Sequence, residues 1–202
     1  MTHNYVKCTL IGDDVVGKTC LLTSYSDKKF PTDYVPTLFG GFSVTILFDD
    51  VPCTLAVFDT FAEDPDYNRL RPLAYPGTDV FIICFSVGHP ASFANVKDKW
   101  FPEAEHHSPG VPRVIAATQI DLRTDLSSGS AEKEKIQQHE KMITTAQGEK
   151  LARELKAARY VECSAKIHEG VHAAFDAAIH AAIEHQQRPS MAKQKGFNCV
   201  VV

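Results

Sequence analysis

The chain has no excess of positive charge: 21 Lys and Arg stand against 25 Asp and Glu, for a net charge of −4 and a pI near 6.1. A nucleic-acid binder would carry a strongly basic domain or stripe, so that class is excluded. Paired metal-ligand spacing is also missing among the cysteines. Cys8, Cys20, Cys53, Cys84, Cys163 and Cys199 are scattered, mostly in apolar runs such as Phe81–Phe85, and are expected to be reduced cytosolic thiols. Met1–Tyr5 has no charged flank leading into a signal-type apolar run, and no stretch approaches the length of a membrane span, so a cytosolic protein is expected. There is no internal repeat. With 202 residues, 44% of them hydrophobic, the chain has room for one globular α/β domain and not for two.

What is present is an alternation. Apolar stretches rich in β-branched and aromatic residues recur at Tyr5–Ile11, Phe42–Phe48, Thr54–Phe58, Val80–Ser86, Val114–Thr118 and Tyr160–Cys163, each bounded by turn residues, and read as strands. Helical patterns lie between several of them, at Lys18–Tyr25, Ala91–Glu105, Thr145–Lys156 and Val171–Gln186. The alternation predicts a six-stranded, mostly parallel sheet with helices on both faces. Phe42–Phe48 and Thr54–Phe58, joined by Asp49–Cys53, read instead as an antiparallel hairpin that supplies the edge strand. Asp125–Lys141 is a polar surface excursion, part helical or, more plainly, a solvated loop, and Gln187–Val202 is expected to be a flexible tail.

The strongest motif is Gly12-Asp13-Asp14-Val15-Val16-Gly17-Lys18-Thr19, directly after the first strand and opening the first helix. Glycines let backbone N–H groups approach phosphate, the helix N-terminus adds a favourable dipole, Lys18 neutralises phosphate oxygens and Thr19 offers a hydroxyl to Mg²⁺. Asp59 ends a strand where a phosphate-binding domain places the carboxylate that holds Mg²⁺ through water. Thr118-Gln119-Ile120-Asp121 closes a later strand, where ligands of open α/β sheets gather. A carboxylate there accepts both N1–H and N2–H₂ of guanine, a donor pair that adenine lacks, so Asp121 argues for GTP over an ATP-using kinase. Its plainer alternative is a helix cap. Ser164-Ala165-Lys166 follows the last strand and fits a loop bracing the base.

These motifs, with Tyr34-Val35-Pro36-Thr37, Arg69-Leu70-Arg71-Pro72, Asp79–Val87, Thr118–Arg123 and Glu162–Ala165, resemble the Rho family of small GTPases from about Tyr5 to Gln186, and most of all its Rac and Cell-division-control branch. The resemblance implies a P-loop GTPase G domain over 1–186 with a Rho-type helical insert at about 124–141, binding GTP or GDP and Mg²⁺. By position, the nucleotide contacts fall on Gly12 through Cys20, Phe30, Tyr34, Thr37, Asp59, Thr118, Gln119, Asp121, Leu122, Ser164, Ala165 and Lys166. Thr37 would join Thr19 on Mg²⁺, Tyr34 would cover the phosphates, Phe30 would pack on guanine and Lys166 would lie near the base. Exchange factors, effectors and a dissociation inhibitor are the implied partners of a monomeric protein.

The departures cluster at hydrolysis. Asp14 replaces a usual glycine and adds a side chain and a negative charge beside the γ-phosphate. After Asp59-Thr60 the chain reads Phe61-Ala62-Glu63-Asp64-Pro65-Asp66-Tyr67, with one residue inserted, so that Glu63 or Asp64 falls at the water-positioning glutamine. No intact hydrolytic residue remains, and slow, predominantly GTP-bound behaviour is expected. The alternatives are a conventionally cycling GTPase, or Glu63 or Asp64 acting as a compensating base. Phe39-Gly40-Gly41-Phe42 lacks the acid that usually follows Phe39 in the effector segment, and its glycines raise the entropy cost of ordering it on a partner. Phe58 matches the Cell-division-control side or simply packs.

Cys199-Val200-Val201-Val202 fits C-a-a-X, with Cys199 as the prenylation site, farnesyl or geranylgeranyl. Arg188, Lys193 and Lys195 add a faint second membrane signal. Attachment to the cytoplasmic face of plasma membrane or endomembranes, with a cytosolic pool, is expected. His106 and His107 read as a solvated helix end, His168, His172, His180 and His185 as solvent-facing, and Cys20 as packed.

Overall fold

The computed structural model describes residues 4–31, 40–48, 51–60, 70–125 and 142–187. Along the chain run β1 (Asn4–Gly12), α1 (Lys18–Asp27), β2 (Gly40–Phe48), β3 (Val51–Asp59), a 3₁₀ turn (Arg71–Ala74) and β4 (Val80–Ser86). Then follow α2 (Pro90–Asn95), a π turn (Val96–Trp100), α3 (Phe101–His107), β5 (Arg113–Thr118), α4 (Leu122–Asp125), α5 (Thr145–Leu155), β6 (Arg159–Glu162) and α6 (Val171–Gln187).

Six strands form one sheet in the order β2-β3-β1-β4-β5-β6. β2 pairs antiparallel with β3, and every other pairing is parallel. Burial follows position in the sheet. Every residue of central β4 is buried, as a strand covered on both faces requires, whereas edge strand β2 alternates exposed and half-buried residues from Gly41 to Leu47.

Two apolar layers flank the sheet. Val6, Cys8 and Leu10 of β1 and Ile82 and Cys84 of β4 face Leu21 of α1 and the Ala174, Phe175, Ala178, Ile179 and Ala182 stripe of α6. That stripe repeats at three- and four-residue spacing, so one face of an alanine-rich helix packs flat on the sheet. Burial of Phe175 and Ile179 contributes roughly 1.5–3 kcal/mol each. Phe81, Ile83, Phe85 and Ile115 point the other way, onto Trp100, Ala104 and Leu151. Helix α5 starts on a reciprocal cap: Gln147 N–H donates to Thr144 Oγ1 at 3.3 Å, and Thr144 N–H donates to Gln147 Oε1 at 2.8 Å.

The sequence expectations are corrected at four places. The hairpin connection is shorter than Asp49–Cys53, because β3 begins at Val51. The pattern at Ala91–Glu105 is not one regular helix but two helical pieces, from Pro90 to His107, separated by the π turn. The last strand ends at Glu162, one residue early. Gln187, expected to open the tail, instead ends α6, and residues 126–141 and 188–202 lie outside the described residues.

Candidate functional site

The carboxyl ends of the parallel strands converge on one cleft. β1 runs into the phosphate-binding loop and α1. Gly12 has φ +145, and a Cβ there would run into the Cys84 carbonyl oxygen of β4, so only glycine lets the loop leave the sheet here. Gly17, at φ 90, is the N-cap of α1 and offers no side chain to the helix's first N–H groups, which leaves them for an anion. Lys18, 6% exposed, folds back across the loop, and its Nζ donates to the carbonyls of Gly12 (2.9 Å) and Asp13 (2.6 Å). An ammonium has three donors, so one remains for a phosphate oxygen. Burial lowers the Lys18 pKa, and the nearby Asp59 carboxylate is the main charge that opposes that shift. Val15 is 81% exposed at φ 61, an uncommon conformation for a β-branched residue. Val16 beside it is buried.

The cation position is defined by Thr19 and Asp59. Thr19 Oγ1 donates to Asp59 Oδ2 at 2.5 Å. Asp59, 3% exposed, keeps its other oxygen, Oδ1, buried with no hydrogen-bond partner among the described residues. Burial pushes its carboxyl pKa up, against the Thr19 hydrogen bond, the Lys18 charge and the Thr60 backbone. A desolvated carboxylate with an orphaned oxygen beside a hydroxyl suits a hard, oxygen-seeking cation, so these residues fit Mg²⁺.

The base side is a cavity of about 270 Å³. Phe30, half-exposed, lies at one wall, and Leu122, Cys163, Ala165 and Cys20 line the rest. Asp121 is 5% exposed. Its Oδ1 accepts from Ser164 Oγ–H at 2.5 Å and its Oδ2 pairs with Lys166 Nζ at 3.6 Å. These partners hold the carboxylate at the cavity wall, and Asp121 also stands directly before α4, where its carbonyl accepts from Thr124 N–H at 3.0 Å. Thr118 and Gln119 tie the base side to the phosphate loop. Thr118 Oγ1 lies 2.5 Å from the Val16 carbonyl and 2.9 Å from that of Phe85, and Gln119 Nε2 donates to the Val15 carbonyl at 2.9 Å.

The structure therefore brings together Gly12 through Cys20, Phe30, Asp59, Thr118, Gln119, Asp121, Leu122, Ser164, Ala165 and Lys166. Tyr34, Thr37, Glu63, Asp64 and Cys199 lie outside the described residues. Cys20 lines the cavity. Burial first, then the Asp59 charge, raises its thiol pKa against one backbone hydrogen bond, which favours packing over a reactive thiolate. His106, His107, His168, His172, His180 and His185 are exposed.

Sequence reasoning missed Ser86, whose Oγ donates to Gln119 Oε1 at 2.5 Å, and Asn95 and Trp100, both bonded to Asp13. Ser86 was discoverable as the polar end of a wholly apolar strand. Asn95 and Trp100 carried no local signal.

A phosphate loop, a cation-competent Thr–Asp pair and a base slot on one doubly covered sheet together define a Ras-like GTPase domain. The Ras-family model matches residues 7–184, and the chain belongs to the Ras family of small GTPases. Members bind GTP or GDP, typically with Mg²⁺.

Proposed function

We propose that this chain is a Rho-type GTP-binding signalling protein that hydrolyses GTP slowly, stays mostly GTP-bound and acts through effectors on actin, polarity or membrane trafficking. Residues 1–186 form its G domain, with a helical insert at about 124–141, and the tail carries a prenyl group on Cys199. That group holds part of the pool on the cytoplasmic face of membranes. Exchange factors and a dissociation inhibitor join the effectors as partners.

The observation that carries this reading is Asp14, a carboxylate placed in an otherwise complete phosphate loop. Lys18 and the N–H groups opening α1 hold the phosphates. Thr19 and Thr37 would hold Mg²⁺, with Asp59 acting through water, and the ion would supply charge neutralisation at the phosphate oxygens. Asp121 takes the guanine N1–H and N2–H₂, kept in orientation by Ser164 and Lys166. Hydrolysis then depends on an oriented water and a stabilised γ-phosphate, and a carboxylate at position 63 or 64 has no amide N–H to donate. Asp14 stands where relatives carry glycine, and a side chain there would crowd an activating arginine, whose contribution is about 10³ to 10⁵ in turnover.

Single-turnover GTP hydrolysis with a Rho-type activating protein, with the co-purified nucleotide identified, tests the proposal. Retained GTP and unstimulated turnover are expected, and Asp14→Gly should recover part of the stimulation. Bound GDP with normal stimulated turnover in the wild type would establish the conventionally cycling reading instead.

A further inference from the structure

Asp13 is tied at three points. Its carbonyl accepts from Lys18 Nζ at 2.6 Å, Oδ1 from the Trp100 indole Nε1–H at 2.6 Å, and Oδ2 from Asn95 Nδ2 at 2.7 Å. The residue is 3% exposed, so its carboxylate is desolvated and its two side-chain bonds are of the strong, charge-assisted kind. Both donors come from far along the chain, 82 and 87 residues downstream.

Their meeting depends on an irregularity. In an uninterrupted α-helix, residues five apart point about 140° away from each other around the axis, too far to share one carboxylate. The Val96–Trp100 π turn lies between Asn95 and the end of the segment, and its i→i+5 closure brings the indole round to the side of Asn95. Such turns are rare and concentrate at functional sites. The indole is also gripped by two cations: the Arg71 guanidinium lies 4.7 Å and Lys99 Nζ 4.3 Å from the ring centre. Arg71 is held in turn by both oxygens of Glu103.

We infer that Asn95 and Trp100 are positioning residues for nucleotide retention: they clamp Asp13 so that its carbonyl holds Lys18 and the phosphate loop stays open toward the phosphates. The inference rests on the guanine-nucleotide reading above and deepens it. The π turn is the device that makes the clamp possible, because it alone lets one carboxylate collect both donors. Trp100 is the single tryptophan of the chain, so its emission reports occupancy of the loop without any label.

The test is release of a fluorescent GDP analogue from the full-length protein, alongside melting curves with and without GDP. Trp100→Phe, which keeps a ring and loses the N–H, and Asn95→Ala, at a half-buried position that tolerates truncation, should each speed release about tenfold. Asn95→Asp, which sets a carboxylate against a carboxylate, should speed it further. A merely structural role would lower the melting temperatures of nucleotide-free and GDP-bound protein together, whereas the clamp lowers the increment that GDP adds. Wild-type release at the wild-type rate in all three variants, or equal destabilisation with and without GDP, overturns the inference and leaves the guanine reading intact. Failure of the wild type to bind GDP overturns that reading, and the inference with it.

Discussion

Two Arg–Glu–Tyr triads brace the two halves of the cleft, and they differ in depth. On the phosphate side, Arg71 donates from Nε (2.9 Å) and Nη2 (2.8 Å) to Glu103, which also accepts from Tyr75 Oη–H at 2.5 Å. On the base side, Arg123 donates from Nη1 (2.8 Å) and Nη2 (3.0 Å) to Glu162, which accepts from Tyr160 Oη–H at 2.7 Å. The side chains of the first ion pair are 5% and 17% exposed, those of the second 22% and 21%. The same chemistry therefore does different work. Buried Arg71 meets Glu103 with two donors and lies against the Trp100 ring, so its position is fixed by packing as well as by charge. Arg123 keeps contact with water and also reaches the Ile143 carbonyl, so it fastens two chain segments together.

The largest expected effect breaks the deeper triad. Arg71→Met leaves Glu103 without its counter-ion in a mostly dry site, at a cost of about 3 kcal/mol, whereas Arg123→Met, on the wetter triad, costs about 1 kcal/mol. Urea unfolding of both variants measures the difference, and equal losses would dissolve the distinction.

Acid titration sharpens it. Burial alone would raise the carboxyl of Glu103, but the hydrogen bonds from Arg71 and Tyr75 and the Arg71 charge outweigh it and hold the pKa below the ordinary 4.5; Glu162 is lowered likewise by Arg123 and Tyr160. A carboxylate lowered on folding stabilises the native state above its ordinary pKa, and that stabilisation is lost as pH falls through the lowered folded value. Stability should thus drop below about pH 4.5, with the slope reduced in Glu103→Gln and in Glu162→Gln, as melting temperatures across pH 3 to 7 will register.

The smallest effect lies between the halves. Val15 holds a positive φ with most of its side chain in solvent, and Val15→Gly should gain about 1 kcal/mol by removing that strain. An unchanged or lowered melting temperature would mean that the loop bears no strain at this residue.

The sheet was legible because β4 is a continuous apolar run and β2 alternates, two patterns that burial alone dictates. β3 was read as starting at Thr54, which left Pro52 in the connection, whereas the strand begins at Val51. Pro52 sits one residue before the pairing with β1 opens at Cys53, at a strand entrance where a missing N–H is tolerated. The phosphate loop and Asp121 were legible because each lies within a few residues of a strand end. Asn95 and Trp100 were not, since each bonds a partner far away in sequence, and the π turn that aims Trp100 interrupts a helical period that composition alone continues.

Arg123 stands just before the polar excursion and Ile143 just after it, joined by hydrogen bonds of 3.2 and 2.8 Å to a single carbonyl. The excursion consequently leaves and re-enters the fold through a fastened seam. The neighbouring guanine slot is thereby braced where the chain departs and returns, so an exchange of sequence between those two points is expected to leave the slot's outline in place.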